Sequence, residues 1–171
     1  MNNHPSFNRG QGTLVVVDMQ PDYEAALHPW TISNVTKEVT AARHNNWGIV
    51  IVEFYDHEPT IKAVMRPLLK KTRYEKLVLV EKDIPDGSTP VVTALEQNDF
   101  SDSLIRVCGV NTHECVQDTV NGLARRLPDS SIEVITGACN CHTKLSWKSF
   151  HKEANVSLKG NWWLGEKRLK H

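Results

Sequence analysis

The stretch LIRVCGVNTHECVQDTVNGLARR, residues 104–126, passes from an apolar run into a helical pattern through a few polar residues. Leu104 to Val110 has the continuous apolar character of a strand that is buried on both faces. Apolar residues then recur at helical spacing, which predicts an amphipathic helix over 113–126. A buried strand followed directly by an amphipathic helix is typical of a parallel sheet covered by helices.

The same alternation extends outward in both directions along the chain. Further strands are predicted at 13–17, 49–54, 77–80, 132–136 and 156–158. Helices are predicted at 35–45, at 60–71 with a break at Pro67, at 90–97 and after Lys144. Alternating strands and helices predict an α/β protein with a Rossmann-like, three-layer α-β-α arrangement around a mostly parallel six-stranded sheet.

The composition favours an ordinary globular enzyme over a nucleic-acid or membrane protein. The 171 residues suit a single domain, 1–171, in which residues 1–12 form a flexible polar lead-in. Twenty basic and twenty acidic residues give zero net charge, so nothing draws the chain to nucleic acid or to an anionic membrane. The apolar runs are strand-sized, and we expect a cytoplasmic protein whose four cysteines are free thiols.

Residues with catalytic side chains follow three of the predicted strands. Asp18 follows the first strand, Lys82 the third, and Cys115 comes shortly after the fourth. Because the carboxyl ends of parallel strands share one edge of the sheet, we expect these three side chains to meet. With Thr112 as N-cap, Cys115 lies in the first helical turn, where the helix dipole and Lys82 are expected to lower the pKa of its thiol. The spacing alone leaves open that Cys115 is simply a small buried residue.

Three segments carry a resemblance to a known family. Residues 14–20, LVVVDMQ, and residues 109–119, GVNTHECVQDT, resemble the first strand and the nucleophile segment of the isochorismatase-like cysteine hydrolases, a family that includes nicotinamidases and N-carbamoylsarcosine amidohydrolases. Glu81-Lys82, followed by Ser88, stands where that family has its lysine. The matches come in the family's order and cover about residues 13–137, so the resemblance implies the isochorismatase-like hydrolase fold.

The resemblance also implies roles for individual residues. Cys115 would be the nucleophile, Asp18 the general acid and base, and Lys82 their electrostatic partner. The family's non-proline cis peptide would fall at Val110–Asn111, and the backbone N–H groups of Asn111 and Cys115 would form the oxyanion hole.

These roles imply hydrolysis of the C–N bond of a small amide or carbamoyl compound through a thioester, by a homo-oligomer without a cofactor. The substrate pocket is expected to include Tyr23, Phe54 and His57. One alternative is a binding or assembly module without turnover, because the segment from Asp83 to Ser88 departs from the family's pattern. Another is the isochorismatase vinyl-ether reaction, although that reaction needs no thiol.

Two short clusters raise the question of a metal. Asp56-His57 lies where nicotinamidases of this family hold a metal, so a metal-assisted nicotinamidase with zinc near these residues is a further alternative. A catalytic zinc usually has three protein ligands, and the sequence offers no second histidine nearby. Cys139-Asn140-Cys141-His142 also has ligand spacing but no matching pair elsewhere, so we interpret it as a turn after the fifth strand. No metal is therefore expected.

Overall fold

The computed structural model describes residues 11–160. Within that range, six strands form: β1 (Thr13–Val17), β2 (Gly48–Phe54), β3 (Leu77–Lys82), β4 (Leu104–Val110), β5 (Ser131–Asn140) and β6 (Val156–Lys159). The α-helices are α1 (Glu24–Leu27), α2 (Pro29–His44), α3 (Lys62–Leu69), α4 (Ser88–Asn98) and α5 (Gln117–Arg126). A π-helical turn covers Thr112–Val116, and a 3₁₀ turn covers Trp147–Ser149.

The six strands form one sheet in the order β3-β2-β1-β4-β5-β6, and every neighbouring pair is parallel. This confirms the predicted three-layer α/β fold. The chain builds outward from β1 on one side and from β4 on the other, so its direction reverses between these two strands. Loops diverge at such a reversal and leave a crevice at the carboxyl ends of the strands. Val17 pairs with Gly109 at this point, which places Asp18 and Val110 at the start of the crevice.

Two layers of helices cover the sheet. Helix α2 packs against α3, and α4 packs against α5. Right-handed crossovers place the first pair on one face and the second pair on the other. β1 is buried along its whole length, because it lies in the middle of the sheet and helices cover both faces there. In the described part of the chain, no helix is long and apolar enough to cross a membrane.

Glycine is required at position 109, where β4 lies closest to β1. Gly109 has a φ of +124°, and a Cβ there would collide with the backbone carbonyl of Val17. The pairing of β4 with β5 also shifts between Val107 and Gly109. The glycine therefore lets β4 bend beside β1 just before the segment that leads to Cys115.

Several predicted boundaries are wrong. Helix α2 begins at Pro29 and not at residue 35, because proline suits the first helical position, and the short α1 was not predicted. Pro67 does not break α3, which continues to Leu69; the Thr36 hydroxyl donates to the carbonyl of Ala63, which Pro67 cannot reach because it has no N–H. β5 extends four residues beyond 136, and between Lys144 and residue 160 the 3₁₀ turn is the only helical segment.

Residues 1–10 of the lead-in and the last eleven residues lie outside the described range. The flexible lead-in therefore stays a prediction. The same holds for the single domain, the cytoplasmic location and the homo-oligomer.

Candidate active site

Asp18 directly follows β1, in a conformation that aims its carboxylate into the crevice. Its φ is +51°, in the left-handed region that aspartate tolerates better than most residues, and its N–H donates to Val52 O at 3.0 Å. The side chain is fully buried and forms an ion pair with Lys82, with 2.9 Å between Oδ2 and Nζ. Two residues from different strands thus meet as the sequence argument predicted.

Lys82 is the last residue of β3, and its side chain reaches Asp18. Its register partner in β2 is Phe54, and Nζ lies 4.9 Å from the centroid of that ring. The ammonium also donates to Pro85 O at 3.0 Å. The buried ammonium of Lys82 is therefore surrounded by a carboxylate, a carbonyl and an aromatic face. Such partners offset the free-energy cost of removing a charge from water.

The unusual segment after Lys82 is held firmly in spite of its sequence. Thr119 of α5 accepts the N–H of Gly87 at 2.9 Å, and its hydroxyl donates to Pro85 O at 3.4 Å. Asp86 Oδ1 accepts the N–H of Ser88 at 2.8 Å at the start of α4. The departure from the family's pattern therefore changes the loop without displacing Lys82 from Asp18.

Cys115 lies against this ion pair. It is 7% exposed, and its thiol lies close enough to Asp18 and Lys82 for both charges to act on it. The predicted α-helical first turn is instead π-helical: the N–H of Val116 bonds to Asn111 O at 3.1 Å, five residues back. Thr112 is consequently not the N-cap; Asn111 precedes the turn and makes no side-chain cap.

The expectation of a lowered thiol pKa is wrong. Burial, together with the negative charge of Asp18, raises the pKa of Cys115 to about 12, against the opposing attraction of Lys82. Burial also raises the pKa of Asp18, and this effect exceeds the lowering by Lys82. The geometry thus offers a neutral thiol beside a carboxylate that is more basic than a free aspartate and can take the thiol proton.

The three expected pocket residues lie together at this edge of the sheet. The ring centroids of Tyr23 and His57 are 5.3 Å apart and nearly parallel, and Phe54 lies 5.3 Å from His57. Burial, together with Asp18, raises the pKa of Tyr23, so its phenol is neutral at physiological pH. Three rings therefore lie together, and the ring of Phe54 contacts the ammonium of Lys82.

A buried glutamine fixes this aromatic group, a role that the sequence argument did not assign. Gln20 Oε1 accepts the N–H of Phe54 at 2.7 Å, and Nε2 donates to Phe54 O at 3.2 Å and to Glu58 O at 3.0 Å. Gln20 is fully buried. Its place two residues after Asp18, inside the quoted LVVVDMQ segment, was the signal that could have identified it.

Asn111 lies where the nucleophile segment leaves β4. The Val110–Asn111 peptide bond is cis, and Asn111 is 6% exposed. Cys115 follows one π-helical turn later, so the backbone amides named for the oxyanion hole belong to the two ends of a single turn.

Comparison with known proteins rests on structure alone. No protein-family model and no curated protein matches the sequence. Solved structures do match. N-carbamoylsarcosine amidase from Thermoplasma acidophilum has a TM-score of 0.69 at 18% identity, over 88% of this chain and 96% of that one. The nicotinamidase SaPncA from Staphylococcus aureus has a TM-score of 0.61 at 16% identity, over 78% of this chain and 87% of that one.

An isochorismatase (PP1826) from Pseudomonas putida also matches, with a TM-score of 0.64 at 15% identity over 81% of this chain and 75% of that one. This chain has the isochorismatase-like hydrolase fold. The resemblance read from residues 14–20 and 109–119 is therefore confirmed at the level of the fold.

The Asp56-His57 segment stands where the resemblance to nicotinamidases would place a metal. Both residues are exposed, and Asp56 has a φ of +62°. Within residues 11–160, the only group of three or more potential ligands that lie close enough to hold a metal ion is Glu114, Cys141 and His142. Asp56 and His57 therefore do not fit the three-ligand requirement of a catalytic zinc.

A cavity of about 220 Å³ opens on the other side of the nucleophile segment. Thr112 and His113 line it, together with Cys139 and Cys141 from the end of β5. The segment from 139 to 142, interpreted from the sequence as a turn, begins within β5 and leaves it after Asn140.

Proposed function

We propose that this protein is a cysteine hydrolase that cleaves the C–N bond of a small amide or carbamoyl compound. The observation that carries the proposal is the buried ion pair of Asp18 and Lys82 against the Cys115 thiol, at the point where the sheet reverses. A charged pair excluded from water costs stability unless it is well compensated, so its presence in a crevice favours a catalytic role.

The first half of the reaction transfers the thiol proton. As the Cys115 sulfur attacks the substrate carbonyl, the S–H proton passes to the Asp18 carboxylate. The tetrahedral oxyanion accepts hydrogen bonds from the backbone N–H groups of Asn111 and Cys115. Lys82 keeps its positive charge and offsets the negative charge that moves between sulfur, Asp18 and the substrate oxygen.

The second half returns the enzyme to its resting state. The tetrahedral intermediate collapses, the C–N bond breaks, and protonated Asp18 gives its proton to the departing nitrogen, which leaves as ammonia or an amine. A water molecule then attacks the thioester while Asp18 takes its proton. Collapse of the second intermediate releases the acid, and the proton returns from Asp18 to the Cys115 sulfur.

The surroundings of the triad favour a compact substrate with a flat or apolar portion. Tyr23, Phe54 and His57 provide ring faces and edges for such a group. The phenol of Tyr23 can donate one hydrogen bond, because burial and Asp18 keep it protonated.

The proposal is tested by following ammonia release from a panel of primary amides, carbamoyl amino acids and nicotinamide. Cys115→Ala should abolish turnover of any substrate that the unaltered protein hydrolyses. Asp18→Asn should also abolish turnover and leave no acyl adduct on Cys115 by intact-mass spectrometry, because no carboxylate remains to take the thiol proton. Cys108→Ala is the matched control, because Cys108 is a buried thiol of β4 that has no part in the proposed chemistry.

Three outcomes would contradict the proposed hydrolysis. A properly folded protein that hydrolyses none of the panel, with no acyl adduct on Cys115, would favour the binding or assembly module. Turnover that survives Cys115→Ala would overturn the nucleophile assignment. A vinyl-ether substrate cleaved without Cys115 would favour the isochorismatase reaction.

A further inference from the structure

Three side chains with metal-binding donors converge from two separate segments beside the 220 Å³ cavity. Glu114 belongs to the π-helical turn, while Cys141 and His142 follow β5 directly. Their donor atoms all lie within 4.8 Å of one another, and His142 Nδ1 is 3.7 Å from Glu114 Oε2. We propose that Glu114, Cys141 and His142 bind a zinc-type divalent metal ion.

The distances are close to those that a bound ion would impose. Tetrahedral zinc with bonds of about 2.0–2.3 Å places its ligand atoms roughly 3.3–3.8 Å apart. The Glu114–His142 pair already has this separation. From the 4.8 Å limit, the remaining closure is at most roughly 1.0–1.5 Å by the tetrahedral values. The side chains of Glu114 and His142, each about half exposed, have the freedom to make it.

The types of donor select the ion. A thiolate, an imidazole and a carboxylate suit Zn²⁺ and its analogue Co²⁺, whereas Mg²⁺ and Ca²⁺ prefer sites made of oxygen ligands. Three protein ligands leave a fourth position for water or for a small molecule in the adjoining cavity, which Cys141 lines.

The backbone on both sides of the site is anchored before any metal binds. The side chain of Asn140 donates to Ala25 O at 3.0 Å and to Thr31 Oγ1 at 3.1 Å, and its Oδ1 accepts the N–H of Cys141 at 2.8 Å. On the other side, the N–H of Glu114 donates to Asn111 O at 3.2 Å. Binding therefore needs side-chain rotation more than movement of the chain.

Cys141 also has a partner of the kind that supports a ligating thiolate. The Thr143 hydroxyl lies 3.1 Å from Cys141 Sγ and can donate to the sulfur once the thiol has lost its proton. Outer hydrogen bonds of this kind orient metal ligands and tune their affinity. A metal held here would join the turn that carries Cys115 to the segment that leaves β5.

The inference is independent of the proposed hydrolysis and is tested on the full chain without substrate. Protein freed of metal with a chelator is titrated with Co²⁺, and Zn²⁺ is then added in competition. We expect one Co²⁺ per chain, with a thiolate-to-cobalt charge-transfer band that Zn²⁺ abolishes. Cys141→Ser should remove the band. Glu114→Gln and His142→Ala should each weaken binding by more than the roughly 10–100-fold that loss of an outer partner costs.

Three control variants separate this site from other sources of a signal. Cys115→Ala tests the nucleophile as a thiolate ligand, Cys108→Ala tests a buried thiol, and His151→Ala tests an exposed histidine outside the cluster. All three should keep both the band and the stoichiometry. A band that persists in Cys141→Ser, a band lost in Cys115→Ala, or a protein that binds no stoichiometric Co²⁺ would each overturn the proposed site.

Discussion

At the scale of single residues, the contact between Asp18, Lys82 and Cys115 decides which group carries a proton in the resting protein. Lys82 is the cation of a buried pair and favours both nearby anions, yet burial raises the pKa of the thiol and of the carboxylate. The resting state is therefore a neutral thiol beside an Asp18–Lys82 ion pair, and in the proposed reaction the proton moves only when the sulfur attacks.

The pH dependence of turnover follows from the raised pKa of Asp18. Only ionised Asp18 can take the thiol proton, so kcat/KM should fall as the pH drops through this pKa, which lies above the ordinary value of 3.8. Lys82→Met removes the attraction that lowers this pKa and should move the acid limb to still higher pH. A pH–rate profile measures both; activity that stays constant below pH 3.8 would contradict the assignment.

The same pair predicts non-additive effects on stability. Lys82→Met leaves a buried carboxylate without its counterion and should lower the free energy of unfolding by about 3–5 kcal/mol. The double variant Asp18→Asn with Lys82→Met should recover much of that loss, because no unpaired charge remains. Urea unfolding at neutral pH of the two single variants and the double variant measures the coupling; additive losses would show that the two charges do not interact.

The meeting of these three residues was predictable, but their pKa values were not. The rule that parallel strands end at one edge of the sheet places Asp18, Lys82 and Cys115 together from the sequence. The pKa of the Cys115 thiol depends instead on how fully the crevice excludes water. Many surrounding side chains together determine that exclusion. The predicted lowering of the thiol pKa counted the helix dipole and Lys82 but not burial or the charge of Asp18, and its sign was therefore wrong.

At the scale of elements, the turn between β4 and α5 sets the position of the nucleophile. The apolar spacing of Val116, Val120 and Leu123 continues through this turn, so the sequence predicts one helix where the structure has a π-helical turn followed by α5. A single wider turn hardly changes which residues face the core, and periodicity therefore cannot reveal it. The buried strands, in contrast, have β-branched runs that reveal them directly.

Gln20 connects the ends of β1 and β2 and should position the aromatic pocket. Gln20→Leu leaves backbone groups of Phe54 and Glu58 without partners, each at a cost of about 1–3 kcal/mol where water cannot replace the bond. Because His57 lies between them, we expect KM to rise more than kcat falls. Gln97→Leu on the exposed face of α4 is the matched control. Equal stability and unchanged KM in Gln20→Leu would contradict this role.

At the scale of the whole molecule, a buried cation ties the sheet to one helical layer. Arg106 of β4 is 1% exposed and lies 3.6 Å from Glu38 of α2 and 3.4 Å from Glu133 of β5. Its Nη2 also donates to Gly160 O, just beyond β6, at 3.0 Å. Through this one side chain, β4, β5 and the end of β6 are linked to α2. These strands lie on the opposite side of the sheet reversal from Lys82 in β3.

Removal of this cation should destabilise the entire fold. Arg106→Met removes a cation from beside the buried carboxylate of Glu38, and we expect a loss of about 3–5 kcal/mol in the free energy of unfolding. Arg106→Lys keeps the charge and should lose less. Thermal and urea unfolding compare the two variants with the unaltered chain; an unchanged midpoint for Arg106→Met would contradict the expectation.

The protonated, enclosed state of Cys115 has a consequence for chemical damage. Peroxide oxidises thiolates to sulfenic acid, and it needs access to the sulfur. A thiol with a pKa near 12 and 7% exposure offers peroxide little thiolate and little access to the sulfur. Cys115 should therefore survive oxidative conditions that inactivate hydrolases with an exposed, low-pKa cysteine, and Cys141, which is more exposed, should react first.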